Sequence, residues 1–83
     1  MLVEYKEKAL AQLEQLPHDL QKRITDKIEF FASQPTPLTF AKPLTGYSAY
    51  RFRIGNYRAI AEVDDETLVV LLIVKREGAY RNL

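Results

Sequence analysis

The chain has 83 residues, 47% of them apolar, which is enough for one hydrophobic core and too little for two. It contains no cysteine, so disulfides, thiolate metal sites and cysteine nucleophiles are excluded together. The formal net charge of +1 excludes a globally basic or acidic protein, so any affinity for a charged partner must come from local clustering.

A single domain spanning residues 1–83 is therefore expected. Met1–Tyr5 carries residues that favour extended backbone and predicts a short strand. Lys6, Glu7 and Lys8 follow at once, too polar for an export segment, and the longest apolar run, Leu68–Val74, is far short of a membrane span. The expectation is a soluble, cytoplasmic domain without a membrane partner. From Glu7 onward Leu10, Leu13 and Leu16 recur at helical spacing with Ala9 beside them. Pro17 ends that helix or starts the next, and Leu16–Asp19 reads as a tight interhelical turn. Leu20, Ile24, Ile28 and Phe31 then form one apolar stripe, with Gln21, Lys22, Asp26 and Lys27 mostly off it.

Pro35, Pro37 and Pro43 break regular structure, and Gly46 closes the loop. Three strand-like runs follow: Tyr47–Ile54, Tyr57–Val63 and Thr67–Val74. Gly55-Asn56 is a two-residue connection that makes a tight hairpin, and Asp65-Glu66 supplies the second turn. The last run shows no alternation of apolar and polar residues, the pattern of a strand covered on both faces. The fold class is thus α+β: a short N-terminal strand, a helical hairpin, then an antiparallel three-stranded meander with the helices packed on one face.

Charge is unevenly distributed along this order. Between Glu29 and Glu62 there is no acidic residue, while Lys42, Arg51, Arg53 and Arg58 all fall in that window. Folding the Gly55-Asn56 hairpin sets Ile54 opposite Tyr57, Arg53 opposite Arg58, Phe52 opposite Ala59 and Arg51 opposite Ile60. Side chains alternate across a strand, so Arg51, Arg53 and Arg58 share one face while Tyr50, Phe52, Ile54, Ala59 and Ala61 take the other. Like charges directly opposite in a sheet repel, an arrangement tolerated when an anion sits between them or solvent screens them. Guanidinium groups suit phosphate, although a solvated face of outward-reaching arginines has the same pattern. Lys75, Arg76, Tyr80 and Arg81 follow the last strand and can approach the same face. An aromatic ring among cations suits single-stranded RNA, by stacking and phosphate pairing, while a basic terminus without a role fits too.

Other chemistries find little support. His18 is the only histidine and sits in the interhelical turn, which leaves no histidine pair for acid–base RNA cleavage. Asp64, Asp65 and Glu66 read as a polar turn, so no metal site is expected, and the three separated glycines form no phosphate loop. No cofactor is expected.

The run Tyr50-Arg51-Phe52-Arg53-Ile54-Gly55-Asn56-Tyr57-Arg58-Ala59-Ile60, the acidic turn, the apolar strand and Lys75-Arg76-Glu77-Gly78-Ala79-Tyr80-Arg81 resemble the RelE branch of the RelE/ParE toxin superfamily. The helical hairpin and Ala41-Lys42-Pro43-Leu44-Thr45-Gly46 extend the resemblance over essentially the whole chain. It implies a RelE-like fold and the toxin of a type II toxin–antitoxin pair, a metal-independent endoribonuclease that cleaves mRNA codons in the ribosomal A site. The ribose 2′-hydroxyl attacks its own phosphate, leaving a 2′,3′-cyclic phosphate and a free 5′-hydroxyl. Position by position, the resemblance implies that Arg58 stabilises charge on the phosphate, Arg76 lies near the leaving 5′-oxygen, and Tyr80 stacks on a base and handles the 2′-proton. Arg51 and Arg53 match two basic positions on the first meander strand, Arg53 with the catalytic set. Arg51, Lys42, Lys75 and Arg81 are the expected RNA-binding residues.

Some relatives carry lysine at the positions of Arg51 and Arg53, and many carry histidine at that of Lys75. Arginine cannot serve as a base, which leaves Tyr80, with an ordinary pKa of about 10, as the titratable group. Positioning and electrostatic stabilisation would then carry most of the rate. The implied partners are a cognate RelB-like antitoxin, the ribosome and mRNA, with operator DNA reached only through the antitoxin complex. The alternatives are a ParE-like toxin that inhibits DNA gyrase without cleaving RNA, and a catalytically dead relative acting as a binding module.

Overall fold

Alternation and turn chemistry shape the second half of the chain. In the computed structural model, which describes residues 1–76, the elements are β1 (Leu2–Tyr5), α1 (Glu7–Glu14), α2 (His18–Ser33), a 3-10 turn (Pro37–Phe40), β2 (Ala41–Pro43), β3 (Tyr50–Ile54), β4 (Tyr57–Asp64) and β5 (Thr67–Lys75). The expected meander is β3–β4–β5. It is extended at both sides into one five-stranded sheet ordered β1-β5-β4-β3-β2. β1 runs parallel to β5, with Val3 opposite Leu68 and Tyr5 opposite Val70, so the sheet is mixed. The two helices between β1 and the meander supply the crossover that parallel pairing requires.

Both helices lie on one face of the sheet. The expected stripe of α2 holds: Ile24, Ile28 and Phe31 are buried, joined by Ala32, and Leu20 is half-buried. In α1 the stripe is narrower than the leucine spacing suggests. Ala9 and Leu13 are buried, whereas Leu10 is 45% exposed, because an eight-residue helix turns it away from the sheet. Against these helices pack Phe52, Ile54, Ala59, Ala61, Leu68, Val70 and Ile73. The alanines allow close approach, and the larger side chains bury apolar surface that stabilises the domain by about 1.5–3 kcal/mol each. Between the helices, Gln21 Nε2 donates to the Leu16 carbonyl at 2.7 Å, tying α2 to the interhelical turn.

Two features depart from the sequence reading. The run from Tyr47 does not enter the sheet until Tyr50, because Gly46 (φ +82°) turns the chain and residues 44–49 close on themselves through Tyr47 N–H to Leu44 O and Leu44 N–H to Ala49 O. Within the proline-rich segment, Ala41–Pro43 forms an extra strand, β2, on β3. Its proline is tolerated because β2 is an edge strand, where one side makes no ladder.

β5 carries a third feature with consequences for the site. Ile60 pairs with Leu72, but Ala61 pairs with Val70, so Leu71 is an extra, bulged residue. A bulge resets the alternation. Val70 and Ile73 both face the helices as a result, and Leu72 and Val74 face the other side. The unbroken apolar run therefore has two causes: Leu68, Val69 and Val70 are buried on both faces, and beyond them the bulge shifts the pattern.

Candidate functional site

The site grows from the β3–β4 hairpin. Gly55 alone of the two turn residues takes positive φ (+58°), which suits a two-residue hairpin turn with glycine first. The register that follows is the one the sequence reading assigns: Ile54 opposite Tyr57, Arg53 opposite Arg58, Phe52 opposite Ala59, Arg51 opposite Ile60. Phe52, Ile54, Ala59 and Ala61 are buried under the helices, so Arg51, Arg53 and Arg58 stand on the opposite face, away from α1 and α2.

The flanking strands extend this into two rows. Lys42 of β2 is opposite Arg51, giving Lys42, Arg51, Ile60 and Leu72 across the sheet. One row nearer the turn run Arg53, Arg58 and Val74. Arg76 joins them at the end of β5, its backbone N–H donating to the Asn56 carbonyl at 2.7 Å, which ties it to the hairpin turn. Together Lys42, Arg51, Arg53, Arg58 and Arg76, with Phe40, line one concave cavity of about 210 Å³.

Among the described residues no carboxylate lines that cavity. Its cations are bordered by half-buried Ile60, Leu72 and Val74, whose low polarizability strengthens the field felt by a bound anion. The sign reverses along the same face. On β4 the outward positions run Arg58, Ile60, Glu62, and Glu62 shares a second hollow with Glu4, Lys6 and Asp64. Arg58 and Glu62, four residues apart, lie about 13 Å from each other along the strand. A nearly neutral protein thus presents a strongly polarised face.

Arginine cannot be deprotonated at working pH, so this constellation binds and stabilises anionic oxygen rather than exchanging protons. A phosphate is the ligand that such a planar, multi-donor set fits best. Among the described residues no three histidine, cysteine, aspartate or glutamate side chains gather where they could hold a metal ion.

Of the residues singled out in the sequence, five converge here: Lys42, Arg51, Arg53, Arg58 and Arg76. Lys75 does not. It pairs with Tyr57 and lines a separate hollow with Leu20, Arg23, Ile24, Ile54, Gly55 and Asn56, on the helix side of the sheet. The bulge at Leu71 is the reason, since strict alternation from Val70 would put Lys75 among the arginines and Arg76 opposite. Tyr80 and Arg81 lie outside the described residues. Phe40 was not singled out, because an aromatic residue between prolines in an irregular segment carries no periodic signal.

Comparison with known proteins places these features in context. A family model described as "ParE toxin of type II toxin-antitoxin system, parDE" matches residues 3–80. The RelE1 protein of Methanocaldococcus jannaschii is 35% identical over 85 residues, which cover 96% of this chain and 94% of that protein. Among solved structures, the RelB-RelE antitoxin-toxin complex from Methanococcus jannaschii superposes with a TM-score of 0.74 at 25% identity, covering 96% of this chain and 98% of that one. The toxin-antitoxin complex RelBE2 from Mycobacterium tuberculosis gives 0.76 at 26% identity, covering 90% of each chain.

Proposed function

We propose that this chain, which belongs to the RelE/ParE superfamily of type II toxin–antitoxin toxins, is an endoribonuclease that cuts messenger RNA in the ribosomal A site. The observation that carries the reading is the cavity in which four arginines and a lysine converge. In the reaction the ribose 2′-oxygen forms a bond to the adjacent phosphorus as the bond to the next nucleotide's 5′-oxygen breaks. The 2′-proton is lost, the 5′-oxygen gains one, and the products are a 2′,3′-cyclic phosphate and a 5′-hydroxyl. Negative charge accumulates on the phosphorus oxygens in the transition state, where preorganised cations lower the barrier most. Arg53 and Arg58 flank the phosphate, Arg76 serves the leaving oxygen, and Lys42 and Arg51 hold the neighbouring backbone. Tyr80 is the titratable group available for the 2′-proton, and Arg81 and Lys75 would contact RNA or ribosome farther out. No metal or cofactor takes part in this scheme.

A lethal nuclease needs a partner that silences it. RelE chains similar to this one were crystallised with RelB antitoxins, and a cognate RelB-like antitoxin is the partner proposed here, with operator DNA bound only by the complex. The toxin would act in the cytoplasm.

The test is cleavage of message on purified, programmed ribosomes. Arg58→Ala and Arg76→Ala are each expected to slow cleavage by about 10²–10³, the usual effect of removing one charge-stabilising donor, while the urea midpoint stays near wild type. Message left intact by the wild-type protein would overturn the reading. A second reading is favoured by the name of the matching family model: a ParE-like toxin that inhibits DNA gyrase and cuts nothing. Loss of gyrase supercoiling on adding the protein, with ribosomal message uncut, would establish it instead.

A further inference from the structure

The cavity's sixth lining residue has no part in the scheme above. Phe40 is 44% exposed, a large apolar side chain set beside Lys42, Arg51, Arg53, Arg58 and Arg76. Its ring is not loose. It stacks on Phe31 with centroids 5.3 Å apart and planes at 29°, and meets Phe30 edge-on at 6.0 Å. Phe31 in turn stacks on Phe52 at 5.2 Å, so three rings run from the core out to the cavity rim. The 3-10 turn Pro37–Phe40, its first proline buried, delivers the ring to the sheet edge.

Register sets where its backbone lies relative to the cations. Ala41 is opposite Phe52, so the backbone of Phe40, the residue before β2, comes level with Arg53 and, beyond it, Arg58. Adjacent strands lie about 5 Å apart, which puts the Phe40 backbone roughly 5–10 Å from the two arginine backbones, and Phe40 lines the same cavity as their side chains. A base and a neighbouring phosphate of one RNA strand span such a gap. An aromatic ring buttressed on one side and open on the other is a stacking platform, indifferent to base identity because every base has a π-face.

We infer that Phe40 is a positioning residue that stacks on the nucleobase beside the scissile phosphate, holding the message while the arginines act on it. The inference rests on the RNA-cleaving reading. A nucleobase fits better than an antitoxin side chain because the surrounding groups are cations suited to the phosphates that accompany every base.

The test combines a protein variant with a message variant. Phe40→Leu keeps an apolar side chain against Phe31 but removes the π-face, and Phe40→Trp restores one. On programmed ribosomes Phe40→Leu is expected to cut about 5- to 150-fold more slowly than wild type in single turnover, the range that loss of one base–aromatic stack produces. Phe40→Trp should recover most of the rate. When each base of the A-site codon is replaced in turn by an abasic sugar, one position should erase the difference between wild type and Phe40→Leu. Equal rates for wild type and Phe40→Leu, or a deficit that no abasic position removes, would overturn the inference and leave the nuclease reading intact. A deficit confined to antitoxin affinity would assign the ring to the antitoxin instead. If wild-type protein itself cuts no message, the nuclease reading fails and this inference with it.

Discussion

Arg53 and Arg58 stand opposite one another in an antiparallel pair, a juxtaposition that costs a few tenths of a kcal/mol to about 1 kcal/mol when no anion intervenes. In the proposed reaction the substrate phosphate would offset that repulsion. Tyr5 shows burial acting on a single group in the opposite sense. Its hydroxyl is buried with no hydrogen-bond partner among the described residues. Burial, and secondarily the Glu29 carboxylate, push its pKa up to about 12. The folded state therefore holds this proton more tightly than the unfolded chain, whose tyrosine titrates near 10. Its contribution to stability is fully present below about pH 10 and is lost as the pH rises towards about 12. Tyr5→Phe cannot ionise, so its urea midpoint is expected to match or exceed wild type at neutral pH and to fall less between pH 10 and 12. Parallel curves for the two proteins across that window would contradict the assignment.

Among the elements, β5 is the one whose irregularity matters most. Gln12 of α1 accepts a hydrogen bond from the Ile73 backbone N–H at 2.7 Å, just beyond the bulge. That side chain supplies a partner where the ladder is disturbed, and the bulge determines that Arg76, not Lys75, turns to the cavity. Gln12→Leu would leave a donor in a buried residue unsatisfied, with an expected loss of about 1–3 kcal/mol. Equilibrium urea unfolding measures it directly, and a midpoint equal to wild type would show that another group satisfies the amide. The hairpin β3–β4 is regular by contrast, and its two-residue turn leaves no freedom in which side chains share a face.

For the whole molecule, the division of labour is between the two faces of one sheet. The face covered by α1 and α2 holds the domain together, and the other face carries charge, from the arginines at one end to Glu4, Glu62 and Asp64 at the other. Changes on the two faces should separate accordingly. Phe52 is almost fully buried and stacks on Phe31, so Phe52→Ala is expected to cost about 3–5 kcal/mol, a large share of the 5–15 kcal/mol typical of a domain. Calorimetry should show its melting transition lowered by many degrees, with activity lost through unfolding, whereas Arg58→Ala loses activity while melting near wild type. A Phe52→Ala protein that melts like wild type would mean the core repacks around the cavity. The part of this organisation legible in the sequence is local. Helical spacing revealed the α2 stripe, and the Gly55-Asn56 turn set the register that brings Arg51, Arg53 and Arg58 to one face, because such features depend on neighbours within a few residues. The rest joins residues far apart. The parallel pairing of β1 with β5, the edge strand that adds Lys42, the bulge that exchanges Lys75 for Arg76 and the ring of Phe40 at the cavity rim exist only once distant segments pack. The Gln12–Ile73 bond, 61 residues apart in the chain, is the plainest example.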